Sequence, residues 1–293
     1  MNRGRAFRRF LHEPVAVAAG VILAAVFTLG AIFPWIAPTA PGAIDISNRW
    51  RDHAPTLTGW HVWGTNNIGQ DILVRTLWGL HTSEKTAFVA TALALVLGGA
   101  VGGAAGYFGG WSDAALMRIT DVFAVFPAMI VLLAATLYLF PLTIWKTALI
   151  FGFYLWVYVA KVMRSEMTTL RKREFVEAAV AGGASNRRIF FRHLLPHANG
   201  SLIVATTAVL GQVLILEATI EFFGVGIPSS QTPTLGNLIG DAEAAGVSLS
   251  AGWWTWVGPA VVLTLVLVCA SLLGDGIAEA LRVTGGRRRR FRA

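Results

Sequence analysis

The segment "EFVEAAVAGGASNRRIFFRHLLPHANG", residues 174–200, is the most polar stretch of a chain in which 55% of the 293 residues are hydrophobic. Only 14% of the residues are charged, whereas about a quarter are charged in soluble domains. Apolar runs long enough to cross a bilayer, roughly 20 residues each, lie on both sides of the segment and recur along the chain. The composition therefore predicts an all-α, polytopic membrane protein, and the segment is its longest charged loop.

The order of residues within this segment predicts two short helices joined by a tight turn. Residues 174–181 are good helix formers, and the glycine pair at 182–183 ends the helix, as glycine does just past a helix C-terminus. Ser185 is suited to cap a second helix over residues 186–195, which Pro196 is expected to stop. The segment is thus predicted to project as a helical hairpin from two spans.

Six apolar runs predict six transmembrane helices, and their order divides the chain. The runs are 15–37, 86–107, 115–139, 144–162, 201–222 and 254–273. The first is too long for the apolar core of a cleaved signal peptide. The division is an N-terminal segment 1–14, a first helix with external loop 15–85, a core 86–275 that contains the polar loop 164–197, and a basic tail 276–293.

The Lys and Arg residues predict the orientation of these helices. Of 24 such residues, nineteen fall on the side of the termini and of the polar loop, and five on the other side. Because positive charge is retained in the cytoplasm, both termini are expected to be cytoplasmic. The basic cluster 287–290 is expected to meet anionic lipid, which such juxtamembrane clusters usually do, rather than a nucleic acid.

Several stretches resemble one transporter family. Glu177-Ala178-Ala179, Gly183 and the ending His193-Leu194-Leu195-Pro196 resemble the EAA signature of the membrane subunits of ABC importers. Four further stretches resemble the C-type permease subunit of dipeptide, oligopeptide and nickel importers: "HVWGTNNIGQDILVRTLWG" (61–79), "GYFGGWSDAALMRITDVFAVFP" (106–127), "EATIEFFGVGIPSSQTPTLGNLI" (217–239) and "LLGDGIAEAL" (272–281). The first departs from the family pattern at Asn66, where Asp is usual, and at Gln70, where Arg is usual.

The resemblance implies a fold, partners and a site. It implies the type I ABC importer permease fold in the cytoplasmic (inner) membrane of a bacterium or archaeon, and pairing with a second, homologous permease subunit. Two ATPase subunits would carry ATP and Mg, an extracytoplasmic binding protein would deliver substrate, and this chain would bind no cofactor and catalyse no reaction. The implied ATPase-coupling residues are Glu174, Glu177, Ala178, Ala179, Gly183, Ser185, His193, Leu195 and Pro196.

The sequence leaves alternatives for both the substrate and the class of membrane protein. The resemblance favours a di- or oligopeptide importer, with nickel or another small solute as alternatives. A secondary transporter would carry paired ionisable residues near mid-membrane, and the spans are expected to hold no such pair. A membrane scaffold or exporter subunit is the remaining class, and co-purification with ATPases would separate the classes.

Other ionisable residues are candidates for pathway, partner or docking contacts. Asp121 follows Arg118 by about one turn, so a structural ion pair is expected, with a pathway role as the alternative. Glu217 and Glu221 are expected to reach the outer membrane interface or the partner subunit, with a cation or a peptide amine as the alternative ligand. Residues 70–80 predict an amphipathic helix at the outer membrane surface, with Asp71 and Arg75 spaced as an i,i+4 ion pair; docking of the binding protein at these two residues is the alternative role.

Small residues and the lone cysteine are expected to serve packing. Glycines recur every fourth residue from 98 to 110, a pattern that lets membrane helices approach closely; a tight gate is the alternative. Cys269 is the only cysteine, which excludes an internal disulfide, and no histidine spacing predicts a metal site.

Overall fold

The computed structural model describes residues 10–44, 54–56, 61–230, 232–247 and 252–282. Within them the chain forms nine helices of eight or more residues and no strand, so the all-α expectation is confirmed. The helices are α1 (Pro14–Ile36), α2 (Ile72–Phe108), α3 (Gly110–Val125), α4 (Ala128–Tyr138), α5 (Ile144–Leu170), α6 (Glu174–Ala181), α7 (Asn186–Phe222), α8 (Leu235–Ala244) and α9 (Trp254–Arg282). The basic residues of 1–9 and 287–290 lie outside the described residues, as do Arg49 and Arg51.

Five of these helices, α1, α2, α5, α7 and α9, are each long and apolar enough to cross a membrane. The third expected span is not one straight helix. It is the pair α3 and α4, bent by 82° at a short break, and Pro127 at that break is the N-cap residue of α4. The helices therefore match the six predicted runs, with one span broken.

The predicted amphipathic surface helix is wrong as a separate element, because residues 72–108 form one continuous helix. Four polar residues between the two predicted elements and at the start of the predicted span are buried inside the protein: Thr82, Ser83, Glu84 and Thr86. The ring of His81 contacts the carbonyl of Gly30 on α1 at 2.9 Å, and Ser83 accepts a hydrogen bond from the backbone of Leu235 on α8. Thr82 and Thr86 donate to carbonyls one turn earlier in the helix itself, so these polar residues do not break it.

The glycine repeat on α2 packs against α5. A methyl group added at Gly98 would lie 2.5 Å from the Trp156 carbonyl oxygen, and one at Gly106 would lie 2.6 Å from the Arg164 carbonyl oxygen. Gly102 is equally close to the backbone of α5. Gly110 lies beyond α2 and meets nothing. The repeat therefore places two backbones in contact, as small-residue faces do.

The expected stop at Pro196 is also wrong, because α7 runs unbroken from Asn186 to Phe222. Residues Ile189–Leu194 form a wider π-helical turn, in which the backbone N–H of Leu195 donates to the carbonyl of Phe190. A proline ring clashes with the carbonyl four residues earlier in a regular α-helix. The wider turn directly before Pro196 accommodates the ring, and such π-bulges recur at functional sites.

Two clusters of buried side chains stabilise the bundle. The larger one lies among α1, α2, α4, α5, α7, α8 and α9 and includes the buried Cys269. The smaller one, hereafter the α6-end cluster, consists of Tyr107, Met163, Met167, Leu170, Val176, Ile189, Leu194 and Ala198. It joins α6 to the adjacent ends of α2, α5 and α7, whereas α8 lies at the opposite end of the bundle.

Candidate functional site

Helix α6 is held on the bundle by one side of its surface. Val176 is buried in the α6-end cluster, and Phe175 and Ala179 pack against that cluster from its edge. The ring of Phe175 stacks on the imidazole of His197, with centroids 4.8 Å apart. These contacts fix the position of α6 relative to α7, so that a displacement of α6 is transmitted to a membrane-crossing helix.

The opposite side of α6 is exposed and carries alanine and glutamate side chains. Glu174, Glu177 and Ala178 are exposed, and the two carboxylates lie in the first turn, where the helix dipole favours negative charge. The two alanines of the motif differ, because Ala178 is exposed while Ala179 is only partly exposed and packs on the cluster. The free face therefore centres on Ala178.

A turn at Gly183 ends α6. The backbone N–H of Ala184 donates to the carbonyl of Ala179, and that of Gly183 donates to Val180. This pair of bonds is the Schellman motif, which places its C′ residue in the left-handed region. Gly183 occupies that place with φ of +73°, so the predicted stop of the helix is confirmed.

Side-chain hydrogen bonds fix the start of α7 beside α6. Ser185 caps the helix by accepting from the Arg188 backbone at 3.4 Å, which confirms the predicted cap. The hydroxyl of Tyr107 on α2 donates to the side-chain oxygen of Asn186 at 3.0 Å. Between these groups and α6 lies a cavity of about 480 Å³, which Glu177 lines on one side.

The end of the motif lies inside α7 and not on the exposed face. His193 and Leu195 are partly buried, and Leu195 packs against the α6-end cluster. The carbonyl of His193 contacts the ring of His197 at 2.6 Å. His193, Leu195 and Pro196 therefore shape the base that holds α6, while the free face consists of the earlier motif residues.

The expected pairing of Asp121 with Arg118 is wrong. The Asp121 carboxylate lies 3.0 Å from the ammonium of Lys161 on α5. One pair further along, Arg164 on α5 donates two hydrogen bonds, of 2.5 and 2.6 Å, to Asp113. Lys161 and Arg164 lie in the half of α5 that ends at Leu170, so the two ion pairs join α3 to that half of α5.

Glu217 and Glu221 do not reach the surface, so the expected contact with the membrane interface is wrong. Both are about 1–2% exposed. Glu217 lies beside the hydroxyls of Ser83 and Thr86 on α2. Glu221 accepts from the hydroxyl of Thr234 at the start of α8 and from the backbone of Ile227 at 3.5 Å. The two carboxylates therefore join α7 to α2 and α8 within the chain.

Glu221 also borders a cavity of about 610 Å³ at the α8 end. Its rim carries the exposed acidic residues Asp241 and Glu243 of α8, and Phe140 of the α4–α5 turn lies across from them. The sequence analysis predicted no helix between the spans 201–222 and 254–273, so it missed α8. The signals were the capping box of Thr234 with Asn237 and the glycines at 236 and 240, which pack against the α7 backbone.

The expected pair of Asp71 with Arg75 is wrong, because each side chain has another partner. Asp71 caps α2 by accepting from Val74 at 2.8 Å, and its second oxygen lies 2.7 Å from the ring of His61. Arg75 is buried, donates to the Ser229 carbonyl at 3.2 Å, and lies 3.5 Å from Asp241 on α8. The buried Arg75 therefore links α2 to α8.

Asn66 and Gln70, where the sequence departs from the family pattern, contact each other. The amide of Asn66 donates to the side-chain oxygen of Gln70 at 3.0 Å. An amide pair thus occupies the positions at which the family pattern has opposite charges, and the turn before α2 stays closed without an ion pair.

Comparison with known proteins decides the family. Residues 94–282 match the binding-protein-dependent transport system inner membrane component, and residues 3–55 match the N-terminal TM domain of oligopeptide transport permease C. The chain belongs to this family of inner-membrane transport components. The permease family is the one that the EAA motif indicated, and its members are membrane components rather than catalytic subunits.

Individual relatives match over nearly the whole chain. It is similar to the oligopeptide transport system permease protein OppC of Haemophilus influenzae, with 31% identity over 94% of this chain and 86% of the relative. The OppC protein of Mycobacterium tuberculosis is 33% identical over 94% of this chain and 92% of its own length. A putative peptide permease protein of Brucella suis is 29% identical over 94% and 89%.

Proposed function

We propose that this permease component imports peptides, as one of two membrane subunits of an ATP-driven, binding-protein-dependent transporter. The names of its relatives support the substrate class, since they are oligopeptide and peptide permeases. A homologous second permease subunit would complete the pathway. Two ATPase subunits would carry ATP and Mg, and an external binding protein would deliver the peptide.

The proposed orientation places both termini, α6 and the α6-end cluster in the cytoplasm, with α8 on the outside. The distribution of Lys and Arg supports it. A test uses single cysteines at the exposed positions Arg187 and Val62, in a Cys269→Ser background. An impermeant thiol reagent added to intact cells should label position 62 and not 187, and the reverse pattern would contradict the orientation.

The observation that carries the proposed coupling is the free face of α6 on a fixed base. Ala178 lies at the centre of this face, between the acidic Glu174 and Glu177 and beside the exposed Val180, so a partner can approach the helix backbone closely at Ala178. Gly183 sets the angle at which α6 leaves the bundle. When the ATPases close on ATP, α6 would move with them, and the α6-end cluster would pass the motion to α2, α5 and α7. ATP thereby shifts the population between inward-open and outward-open states.

Ala178→Trp tests this coupling. The larger side chain should prevent the close approach of an ATPase subunit without touching the α6-end cluster. Overpacking at a close contact costs about 1–3 kcal/mol, so ATPase recovery with the purified permease pair should fall by about 5- to 150-fold. Ala43→Trp is the matched control, because Ala43 is also exposed but follows α1 at the other end of the bundle. Wild-type recovery and ATP-driven uptake with Ala178→Trp would refute the coupling role.

The docking of the binding protein is proposed at the α8 end. Asp241 and Glu243 are exposed there, whereas Arg75 is buried beneath them and Asp71 caps α2. Asp71 and Arg75 therefore act as positioning residues that hold α8 in place. Arg75→Gln should weaken stimulation of ATP hydrolysis by the binding protein while ATPase recovery stays normal. Loss of both the stimulation and the ATPase recovery would show that Arg75 serves folding alone.

A further inference from the structure

Two buried carboxylates at the Phe222 end of α7 have no counter-ion within the described part of the chain. Glu217 and Glu221 lie one turn apart there, and the charge of Glu217 reaches the Glu221 carboxylate. No Lys, Arg or His of the described residues forms an ion pair with either of them. Because an uncompensated charge in a protein interior is strongly unfavourable, a positive species must neutralise this pair.

The end of the helix itself adds negative charge beside the pair. The last carbonyls of an α-helix carry the negative end of its dipole, which equals roughly half an elementary charge. Helix α7 ends at Phe222, one residue after Glu221, and its last turn holds no basic side chain. The two carboxylates therefore lie where the helix favours a cation.

The hydrogen bonds around Glu217 leave one of its oxygens without a donor. The Oε1 atom of Glu217 is buried and has no hydrogen-bond partner among the described residues. The hydroxyl of Thr86 lies beside this carboxylate, but its single proton is donated to the carbonyl of Thr82 at 3.1 Å. The Thr86 oxygen thus presents only lone pairs to Glu217. A positive ion between the two groups satisfies both of them.

An acidic cavity leads to the pair. Glu221 lines the cavity of about 610 Å³ at the α8 end, and the other charged residues of its lining are Asp241 and Glu243. All three are acidic, although the whole chain has a formal net charge of +8. Arg75 lies 3.5 Å from Asp241 and offsets part of this charge. The cavity therefore attracts cations and gives them a route to Glu221 and, one turn deeper, to Glu217.

The side chains around the pair offer oxygen ligands. Ser83 and Thr86 lie beside Glu217, and the hydroxyl of Thr234 donates to Glu221. Oxygen ligands without Cys or His favour a hard cation over a transition metal, and two carboxylates are neutralised by a divalent one. Ca²⁺ takes about six to eight oxygens in flexible geometry, whereas Mg²⁺ demands an octahedron and keeps several waters. A buried site of this composition therefore suits Ca²⁺.

We propose that Glu217 and Glu221 bind a Ca²⁺ ion, with the hydroxyl oxygens of Ser83, Thr86 and Thr234 completing the site. The ion joins α7 to α2 and to the start of α8, which Thr234 caps, and so stabilises the α8 end of the bundle. With two carboxylates, the expected dissociation constant is about 0.1–1 mM, the range of extracellular calcium modules. The site does not depend on the proposed importer function, because every ligand belongs to this chain.

Calcium binding to the assembled transporter tests the site. The complex is placed without nucleotide in nanodiscs of phosphatidylcholine, whose headgroups carry no net charge, and radioactive Ca²⁺ is titrated by flow dialysis. The wild type should bind one more Ca²⁺ per complex than Glu217→Gln or Glu221→Gln. Glu166→Gln is the matched control, because Glu166 also accepts from a hydroxyl, that of Ser201 at 2.8 Å, but lies at the α6 end of α5. It should bind as much Ca²⁺ as the wild type, and equal binding by all four proteins would overturn the site.

Hydrogen exchange in the wild type locates the ion and decides the question even if a carboxylate variant does not assemble. Ca²⁺ at about ten times its dissociation constant should slow exchange at residues 217–222 and 234–238 by about tenfold, with no change in α6. Mg²⁺ and Na⁺ at the same concentration should have no such effect. Unchanged exchange with Ca²⁺ would show that protons neutralise the carboxylates, and equal slowing by Mg²⁺ or Na⁺ would show that the site does not select Ca²⁺; each result would overturn the proposal.

Discussion

Replacing Gly183 by alanine tests how the end of α6 contributes to ATPase binding. The residue has φ of +73°, and a methyl group there would meet nothing within 4 Å. The whole cost is therefore the backbone strain of a side chain in the left-handed region, about 1–2 kcal/mol. In the free permease the exposed turn can fray and relieve this strain. A docked α6 must keep the turn, so the strain weakens binding.

The expected result is a 5- to 30-fold higher dissociation constant for the ATPase, which is about 1–2 kcal/mol. Titration of ATPase onto permease pairs in nanodiscs measures it. Gly182→Ala is the matched control, because Gly182 has φ of −77° and an added methyl group would lie 3.3 Å from the Ala178 carbonyl oxygen and 3.6 Å from that of Ala179. Its dissociation constant should change by less than about twofold. The dissociation constant of Gly183→Asn should lie between those of the wild type and Gly183→Ala, since asparagine tolerates this conformation. Equal losses for Gly182→Ala and Gly183→Ala would refute the reasoning.

Three further predictions concern the bundle. Gly98→Ala should destabilise it by about 1–3 kcal/mol, because the methyl group would lie 2.5 Å from the Trp156 carbonyl oxygen. Gly99→Ala, which meets nothing within 4 Å, should leave the thermal midpoint unchanged, and equal shifts would contradict the packing. Thr234→Val removes the cap of α8, worth about 1 kcal/mol; hydrogen exchange should accelerate in α8 and not in α6, and unchanged α8 exchange would count against the cap. Asp121→Asn should cost no more than about 1 kcal/mol, because both side chains of its ion pair with Lys161 are exposed; loss of assembly would contradict this expectation.

Local features of the site were predictable from the sequence. Helix α6, its end at Gly183 and the Ser185 cap depend on residues within one or two turns, so propensity and capping rules identify them. The glycine repeat on α2 likewise needs only the spacing of small residues to predict close helix packing. The family signature then assigns a role to this local structure.

Long-range contacts caused the wrong predictions. The separate helix over residues 70–80 was wrong because α2 runs on past it, where His81 contacts α1 and Ser83 contacts α8. Asp121 pairs with Lys161, forty residues away in the sequence, and no local pattern indicates that partner. Pro196 did not end α7 because the preceding π turn accommodates its ring. Each of these outcomes depends on helices that the local sequence does not specify.

The most direct test of the central claim is a site-specific crosslink from α6 to an ATPase subunit. A photoactivatable maleimide is attached to Ala178→Cys in the Cys269→Ser background, in a transporter that hydrolyses ATP and imports peptide. Irradiation should give an adduct of this chain with the ATPase, while the same reagent at Ala43→Cys should give none. An active transporter that forms no ATPase adduct from position 178 would contradict the assignment of α6 as the coupling helix.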